Sequence, residues 1–442
     1  MSEEEVKPIP LADLPPLKLI ASGDDEDAQE AVLQAVRPSP GYPHAVFLLA
    51  DAITKRTDLV LMDFTANAVS IRYQVDGIWH NMPALQRDIG DYMLATFKQL
   101  AGLDYRERRQ RQVGKFRADY MKFKHPCRMT SQGIPAGERV VIEIERNRPP
   151  LESLEDVGMR AGMRSRLVSA MNEAGGLVLF SGLPGDGLST TWRAALQSTD
   201  RFMRDFFTIQ DQAAQEPEIV NIGNQLYDTT AGETMQSTLT RLLLKEPNAI
   251  AFPNLGDAAE LNEMCRLAND QEITVITRIH ARHAVEAVVR ALMLEPDVAA
   301  FSEALRCVVC QRVLRKLCPG CRQEFQPNPA LLVQLGLPPD RVPVLYRQYQ
   351  PGPEELVDGS GNPHDVPPCS QCGGPGFQER TAIFELLEID ERFRQAMRET
   401  PTVQALTAAA NASGHIPMRD EGVVLVARGD VSLEELQRVL KK

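Results

Sequence analysis

Gly176-Leu177-Val178-Leu179-Phe180-Ser181-Gly182-Leu183-Pro184-Gly185-Asp186-Gly187-Leu188-Ser189-Thr190 is the stretch that decides the fold. Residues 176–181 read as a short buried strand and residues 190–197 as a helix. Strand, glycine loop and helix form the setting in which G-x-x-x-x-G-K-[ST] grips a nucleotide. Backbone N–H groups of the loop and the helix N-terminus cradle phosphate oxygens. The lysine reaches the β- and γ-phosphates, and the Ser/Thr holds magnesium. Here Gly182, Gly185 and Gly187 shape the loop, and Ser189 and Thr190 supply hydroxyls. The lysine position is Leu188, and Asp186 adds a negative charge. The loop is shaped for phosphate, but its one formal positive charge is gone.

Downstream, strand-like runs at 206–209, 249–252 and 273–276 alternate with helical spacing at 235–244, 258–268 and 284–294; a helix at 159–174 precedes the loop. This alternation implies an α/β domain over 159–442 with a mostly parallel sheet. Residues 318–376 change character, with many Pro and Gly and four of the eight cysteines. Residues 388–442 read as helical. Upstream, 44–148 read as a smaller α/β domain. Its elements are a helix at 45–55, a strand at 69–77 closing in Asp76-Gly77, a helix at 92–102 and a strand at 139–145. Asn147-Arg148-Pro149-Pro150 marks a linker over 149–158.

Residues 1–43 read as an acidic, Pro-rich arm, mostly disordered, with a short helix at 27–36. The net charge is −12; residues 1–40 carry nine acids and three bases, so they supply −6 of it. The folded part is only mildly acidic, which argues against nucleic acid as a partner. Arg106, Arg108, Arg109, Arg111 and Lys115 form a local basic patch. No apolar run approaches the roughly 20 residues of a spanning helix, and no secretory leader is visible. Cytoplasmic residence is the expectation.

Cys318-Pro319-Gly320-Cys321 and Cys369-Ser370-Gln371-Cys372 are two C-x-x-C turns, each able to present two sulfurs to one ion. Structural zinc on Cys318, Cys321, Cys369 and Cys372 is the preferred reading. Two disulfides or unrelated thiols are the alternatives. Cys307-Val308-Val309-Cys310 lies in a run, 305–317, read as a core-facing helix. Cys127 and Cys265 read as buried small hydrophobes.

Four segments resemble the secretion ATPases of type II secretion and type IV pilus assembly. They are Arg72-Tyr73-Gln74-Val75-Asp76-Gly77 with Gly137-Glu138-Arg139-Val140-Val141; Pro150-Leu151-Glu152-Ser153-Leu154; the phosphate loop with Thr208-Ile209-Gln210-Asp211; and the cysteine turns with Glu379-Arg380-Thr381-Ala382-Ile383. The resemblance covers nearly everything after residue 44. It implies a RecA-like P-loop domain carrying a zinc insert, preceded by a PAS-like domain. It implies a hexameric ring at the cytoplasmic face of the inner membrane, working with platform proteins. It places Arg128 among the arginines that reach phosphate, and Asp211 and His280 in catalytic boxes.

The departures fall in those boxes. The lysine is Leu188, the aspartate box is Gln210-Asp211 with Ala214 where a further acid is usual, and the Walker B acid is Asn254. An ammonium at the phosphates stabilises charge where the dielectric is low, and Asn or Gln is a poor base. Lys245, Arg241 and Arg278 are candidates to replace the charge. The preferred expectation is a pseudo-ATPase: a ring or scaffold subunit, homomeric or mixed with an active paralogue, with weakened ATP and magnesium binding. The alternative is an active ATPase powering pilus or pseudopilus assembly. A cyclic-dinucleotide receptor ranks last, because the arm leaves no room for the extra domain that such binding uses.

Overall fold

The computed structural model describes residues 14–23, 25–146, 151–352, 354–357 and 366–441. The chain forms two compact units, one made of residues up to 149 and the other of almost all that follow.

Among its described residues, the first unit is one antiparallel sheet with three helices. Its strands are β1 (Leu17–Ile20), β2 (Thr57–Phe64), β3 (Ala68–Val75), β4 (Ile78–Gln86), β5 (Gln112–Tyr120), β6 (Phe123–Ile134) and β7 (Gly137–Ile144), in the order β1-β5-β6-β7-β2-β3-β4. The helices are α1 (Glu26–Val36), α2 (Gly41–Thr54) and α3 (Arg87–Leu100). Asp76 (φ 47°) and Gly77 (φ 84°) both take left-handed backbone between β3 and β4. That double positive φ is what a two-residue turn needs to match strand twist. Phe64, Met62, Phe97, Leu49 and Ile142 fill the core between helices and sheet. Within it, Lys98 Nζ lies 2.5 Å from Glu138 Oε1, both side chains buried.

The short helix expected at 27–36 is present as α1, whereas the disordered reading of the rest of 1–43 is corrected for its described part. Alternation in Leu17-Lys18-Leu19 makes β1, whose leucines are buried while the strand pairs with β5. Asp25 caps α1 by accepting from Ala28 N at 2.7 Å. α2 begins at Gly41, inside the span read as the arm. Residues 1–13 and the linker residues 147–150 lie outside the described residues. The later linker residues Leu154 and Val157 are buried in the second unit's core.

The second unit holds β8 (Leu177–Gly182), β9 (Phe206–Asp211), β10 (Ile222–Tyr227), β11 (Ala249–Phe252), β12 (Thr274–Ile279), β13 (Leu305–Leu317), β14 (Gln323–Phe325), β15 (Leu345–Arg347) and β16 (Phe377–Glu388). Its helices are α4 (Ala161–Asn172), α5 (Leu188–Gln197), α6 (Met235–Leu243), α7 (Ala258–Asp270), α8 (Ala284–Leu292), α9 (Val298–Ala304), α10 (Pro329–Leu335), α11 (Glu391–Glu399), α12 (Val403–Ala412), α13 (Met418–Ala427) and α14 (Leu433–Leu440). The main sheet runs β10-β9-β11-β12-β8-β13-β16, parallel except where β16 returns against β13. β14 and β15 pair separately, within the region read as a zinc insert.

Strands covered on both faces read as continuous apolar runs. Leu177 and Leu179 of β8 enter one core, while Val178 and Phe180 enter the other. The same rule corrects the helix expected at 305–317, which is the strand β13. Val308 and Cys310 face one core and Cys307 and Val309 the other. Periodicity cannot separate a doubly buried strand from a buried helix. Cys307 and Cys310 therefore point to opposite faces and cannot share an ion. Burial pushes both thiols well up, Cys307 to about 12.

Candidate functional site

The glycine loop, Asp211, Asn254, Arg278 and His280 sit at the carboxyl edge of the parallel strands. Such an edge is where ligands bind in open α/β sheets. Gly182 ends β8, Asp211 ends β9, Asn254 follows β11, and Arg278 and His280 lie at the end of β12. From Gly182 the chain turns through Gly185 (φ 87°) and Gly187 (φ 72°) into α5. Both positions take left-handed backbone that a side chain would strain. Thr190 N and Thr191 N donate back to the Gly187 carbonyl at 3.0 and 3.2 Å.

Neighbouring β13 holds the loop. Gln311 Nε2 donates to the Asp186 carbonyl at 2.6 Å, and Val313 N donates to Asp186 Oδ1 at 3.3 Å. Arg312 Nε lies 2.9 Å from Asp186 Oδ2, with the Arg312 side chain 2% exposed. Arg312 Nη2 also donates to the Val439 carbonyl at 2.6 Å. Asp186 is thus engaged by β13, and its charge is neutralised there rather than standing bare in the loop.

Leu188 is 7% exposed and belongs to the buried apolar cluster that includes Phe180 and Trp192. It also borders a cleft of about 590 Å³ lined in part by Leu255, Met293, Asn254, Arg278 and His280. Beside it, Arg278 gathers four contacts. Nη1 donates to Ser189 Oγ at 3.4 Å, Nη2 binds the Glu216 carboxylate, and Nε donates to the Pro253 carbonyl. The guanidinium carbon stands 5.4 Å from the Trp192 ring centroid. The Arg278 side chain is 13% exposed. Of the three charge candidates, Arg278 is therefore the one at the loop. Lys245 bonds Gln225, and Arg241 bonds Glu233 and Thr238.

Sequence reasoning missed Glu216. The only signal was an acid two residues beyond Ala214, and the loop after β9 sets its position. Glu216 N donates to Gln210 Oε1 at 3.0 Å. Gln210 is buried, and its Nε2 donates to Asn224 Oδ1 at 2.7 Å. The amide at 210 is thus one member of a hydrogen-bond network, with Thr208 donating to the same Asn224 oxygen at 3.0 Å. Asp211 caps the turn after β9: Oδ1 accepts from Ala213 N at 2.8 Å and Oδ2 from Thr229 Oγ1 at 3.4 Å. His280 Nδ1 lies 3.0 Å from the Gly182 carbonyl oxygen. A carbonyl only accepts, so Nδ1 carries the proton there. Arg128 lies exposed on β6 of the first unit.

A P-loop magnesium needs the Ser/Thr hydroxyl and a carboxylate among its oxygens. Ser189 Oγ faces a guanidinium, Glu216 is paired to that guanidinium, both Asp211 oxygens accept hydrogen bonds, and position 254 is a neutral amide. The donors present do not fit that ion.

The metal-binding prospect lies elsewhere. The sulfurs of Cys318, Cys321, Cys369 and Cys372 all lie within 4.8 Å of one another. Four thiols at that spacing suit one tetrahedral, thiophilic ion.

The fold and loop define a RecA-like P-loop α/β protein with a tetracysteine subdomain. The sequence model of the family "Type II/IV secretion system protein" matches residues 44–438, and the chain belongs to that family. It is 28% identical over 393 residues to the protein transport protein HofB homolog of Escherichia coli K12, covering 89% of this chain and 80% of that one. It is 23% identical over 429 residues to the type II secretion system protein E of Pseudomonas aeruginosa, covering 96% and 80%. Among solved structures, the Legionella pneumophila ATPase DotB matches at TM-score 0.54 and 13% identity, covering 89% of this chain and 94% of that one. The pilus retraction motor PilT with bound ADP matches at TM-score 0.50 and 14% identity, covering 89% and 95%. These likenesses establish the fold. No helix among the described residues is long and apolar enough to cross a membrane.

Proposed function

We propose that this protein serves a type II secretion or type IV pilus-like machine as a non-hydrolysing member of its ATPase family. It acts as a ring or scaffold subunit in a homo- or hetero-hexamer, beside an active paralogous ATPase and inner-membrane platform proteins at the cytoplasmic face. Nucleic acid is not its partner. The observation that carries this reading is Leu188: the lysine position is an apolar side chain buried in the cluster that holds Trp192. Support comes from Gln210, whose amide is built into a network with Asn224, and from the neutral Asn254. The surrounding framework keeps its loop conformation, parallel sheet and cysteine cluster, which supports a role for the assembled shape. The cysteine cluster holds structural zinc, and Asp211 and His280 are what remains of the catalytic set.

The test is ATP binding and hydrolysis on one purified sample with magnesium, at several protein concentrations. The expected result is no turnover at any concentration. Turnover that rises with oligomerisation and disappears in Asp211→Asn would make this an active motor instead.

A further inference from the structure

The misfit between the loop and magnesium is itself informative. A phosphate held in a glycine loop needs a counter-charge. The lysine is absent, and the donors that would seat the divalent ion are engaged. The loop nevertheless keeps Gly185 and Gly187 in left-handed backbone and is braced by Gln311 and Val313. One cation, Arg278, stands at the hydroxyl of Ser189, where the metal of a P-loop stands.

We infer that Arg278 takes the place of magnesium, so that the loop binds a di- or triphosphate in its metal-free form. The inference rests on the non-hydrolysing reading above and deepens it. A guanidinium is permanently charged, and its planar fork matches two phosphate oxygens. Arg278 is pre-organised: Nε is tied to the Pro253 carbonyl and the plane lies near Trp192. Little side-chain freedom is left to lose on binding. Glu216 holds Nη2 as an internal anion. An arriving phosphate takes over that position, and Glu216 competes with it. A fixed cation of this kind neutralises bound phosphate without activating an attacking water, so binding is uncoupled from hydrolysis.

The full chain is titrated with ADP and, separately, with inorganic pyrophosphate, each in magnesium and in excess chelator. Two ligands separate a nucleotide site from a bare diphosphate site. At least one is expected to bind, with a dissociation constant that changes by less than about threefold on removing magnesium. Arg278→Ala is expected to weaken binding about 10- to 100-fold, the loss of a charge-assisted contact. Arg278→Lys restores part of it. Glu216→Gln tightens binding about fivefold by removing the competing anion. Thermal melts of each variant establish that it is folded, and Glu216→Gln reads the idea without depending on the arginine variants. Tenfold or greater tightening by magnesium overturns the inference, as does wild-type affinity in folded Arg278→Ala. Absence of binding by either ligand also overturns it, yet leaves the non-hydrolysing scaffold standing. Turnover in the hydrolysis assay defeats the scaffold reading directly.

Discussion

At Leu188 packing and chemistry make opposite demands. A lysine there would serve phosphate, whereas the leucine is buried in an apolar cluster with Phe180 and Trp192. Burying such a side chain contributes about 2 kcal/mol. Leu188→Lys therefore loses that contribution and sets a second cation beside Arg278. The expected outcome is a fall in stability of about 2 kcal/mol by denaturant titration. ATP turnover is expected to stay at background, because Asn254 and Gln210 remain neutral. Appreciable turnover in this single variant would show that lysine alone was missing. Arg278 is legible as a nearby cation in the sequence, but its contact with Ser189 is not, because 89 residues separate the two.

Among the elements, β13 does the most to hold the site. Three consecutive residues, Gln311 to Val313, fasten the phosphate loop, and Arg315 reaches Glu435 at 2.7 Å. Removing one partner of a buried pair leaves the other uncompensated. Arg312→Ala should cost about 3 kcal/mol, with Asp186 losing its counter-charge and the Val439 carbonyl its guanidinium donor. A loss below about 1 kcal/mol would mean the Gln311 and Val313 contacts hold the loop without Arg312.

Glu435, in the first turn of α14 and paired with Arg315 of β13, carries a pH signature. Burial alone would raise its carboxyl, but hydrogen bonds from Arg438 and Arg315 outweigh burial and hold it at about 2. A carboxylate depressed in the folded state stabilises above its unfolded pKa, about 4.5, and loses that stability as pH falls toward 2. The shift is worth on the order of 3 kcal/mol. Unfolding free energy measured at pH 7 and pH 3 should fall more steeply in the wild type than in Glu435→Gln. Equal slopes would remove Glu435 as the cause.

For the whole molecule, the cysteine cluster joins turns separated by 47 residues. Closing so long a loop by an ion stabilises the folded chain, since the unfolded chain has no assembled site. Metal analysis is expected to find one zinc per chain. Chelation should lower the melting temperature by several degrees, about what a few kcal/mol gives in a chain of this size. Cys369→Ser should abolish both the metal and its effect. A zinc-free protein with unchanged melting would discard the ion.

The sequence by itself determined the strand-loop-helix at 176–197, the parallel alternation after it, the hairpin at Asp76-Gly77 and each of the two C-x-x-C turns. Each is written in local spacing, which backbone sterics and burial convert directly into structure. Only the tertiary structure decided that 305–317 is a strand, since a doubly buried strand carries no periodic signal, and that 17–36 belong to the first unit's core. It alone brought Glu216 and Arg278 to Ser189, and Arg312 to Asp186. Those pairs join residues far apart in the chain. Long-range charge pairing depends on which strands lie side by side, a choice made by the packing of the whole sheet.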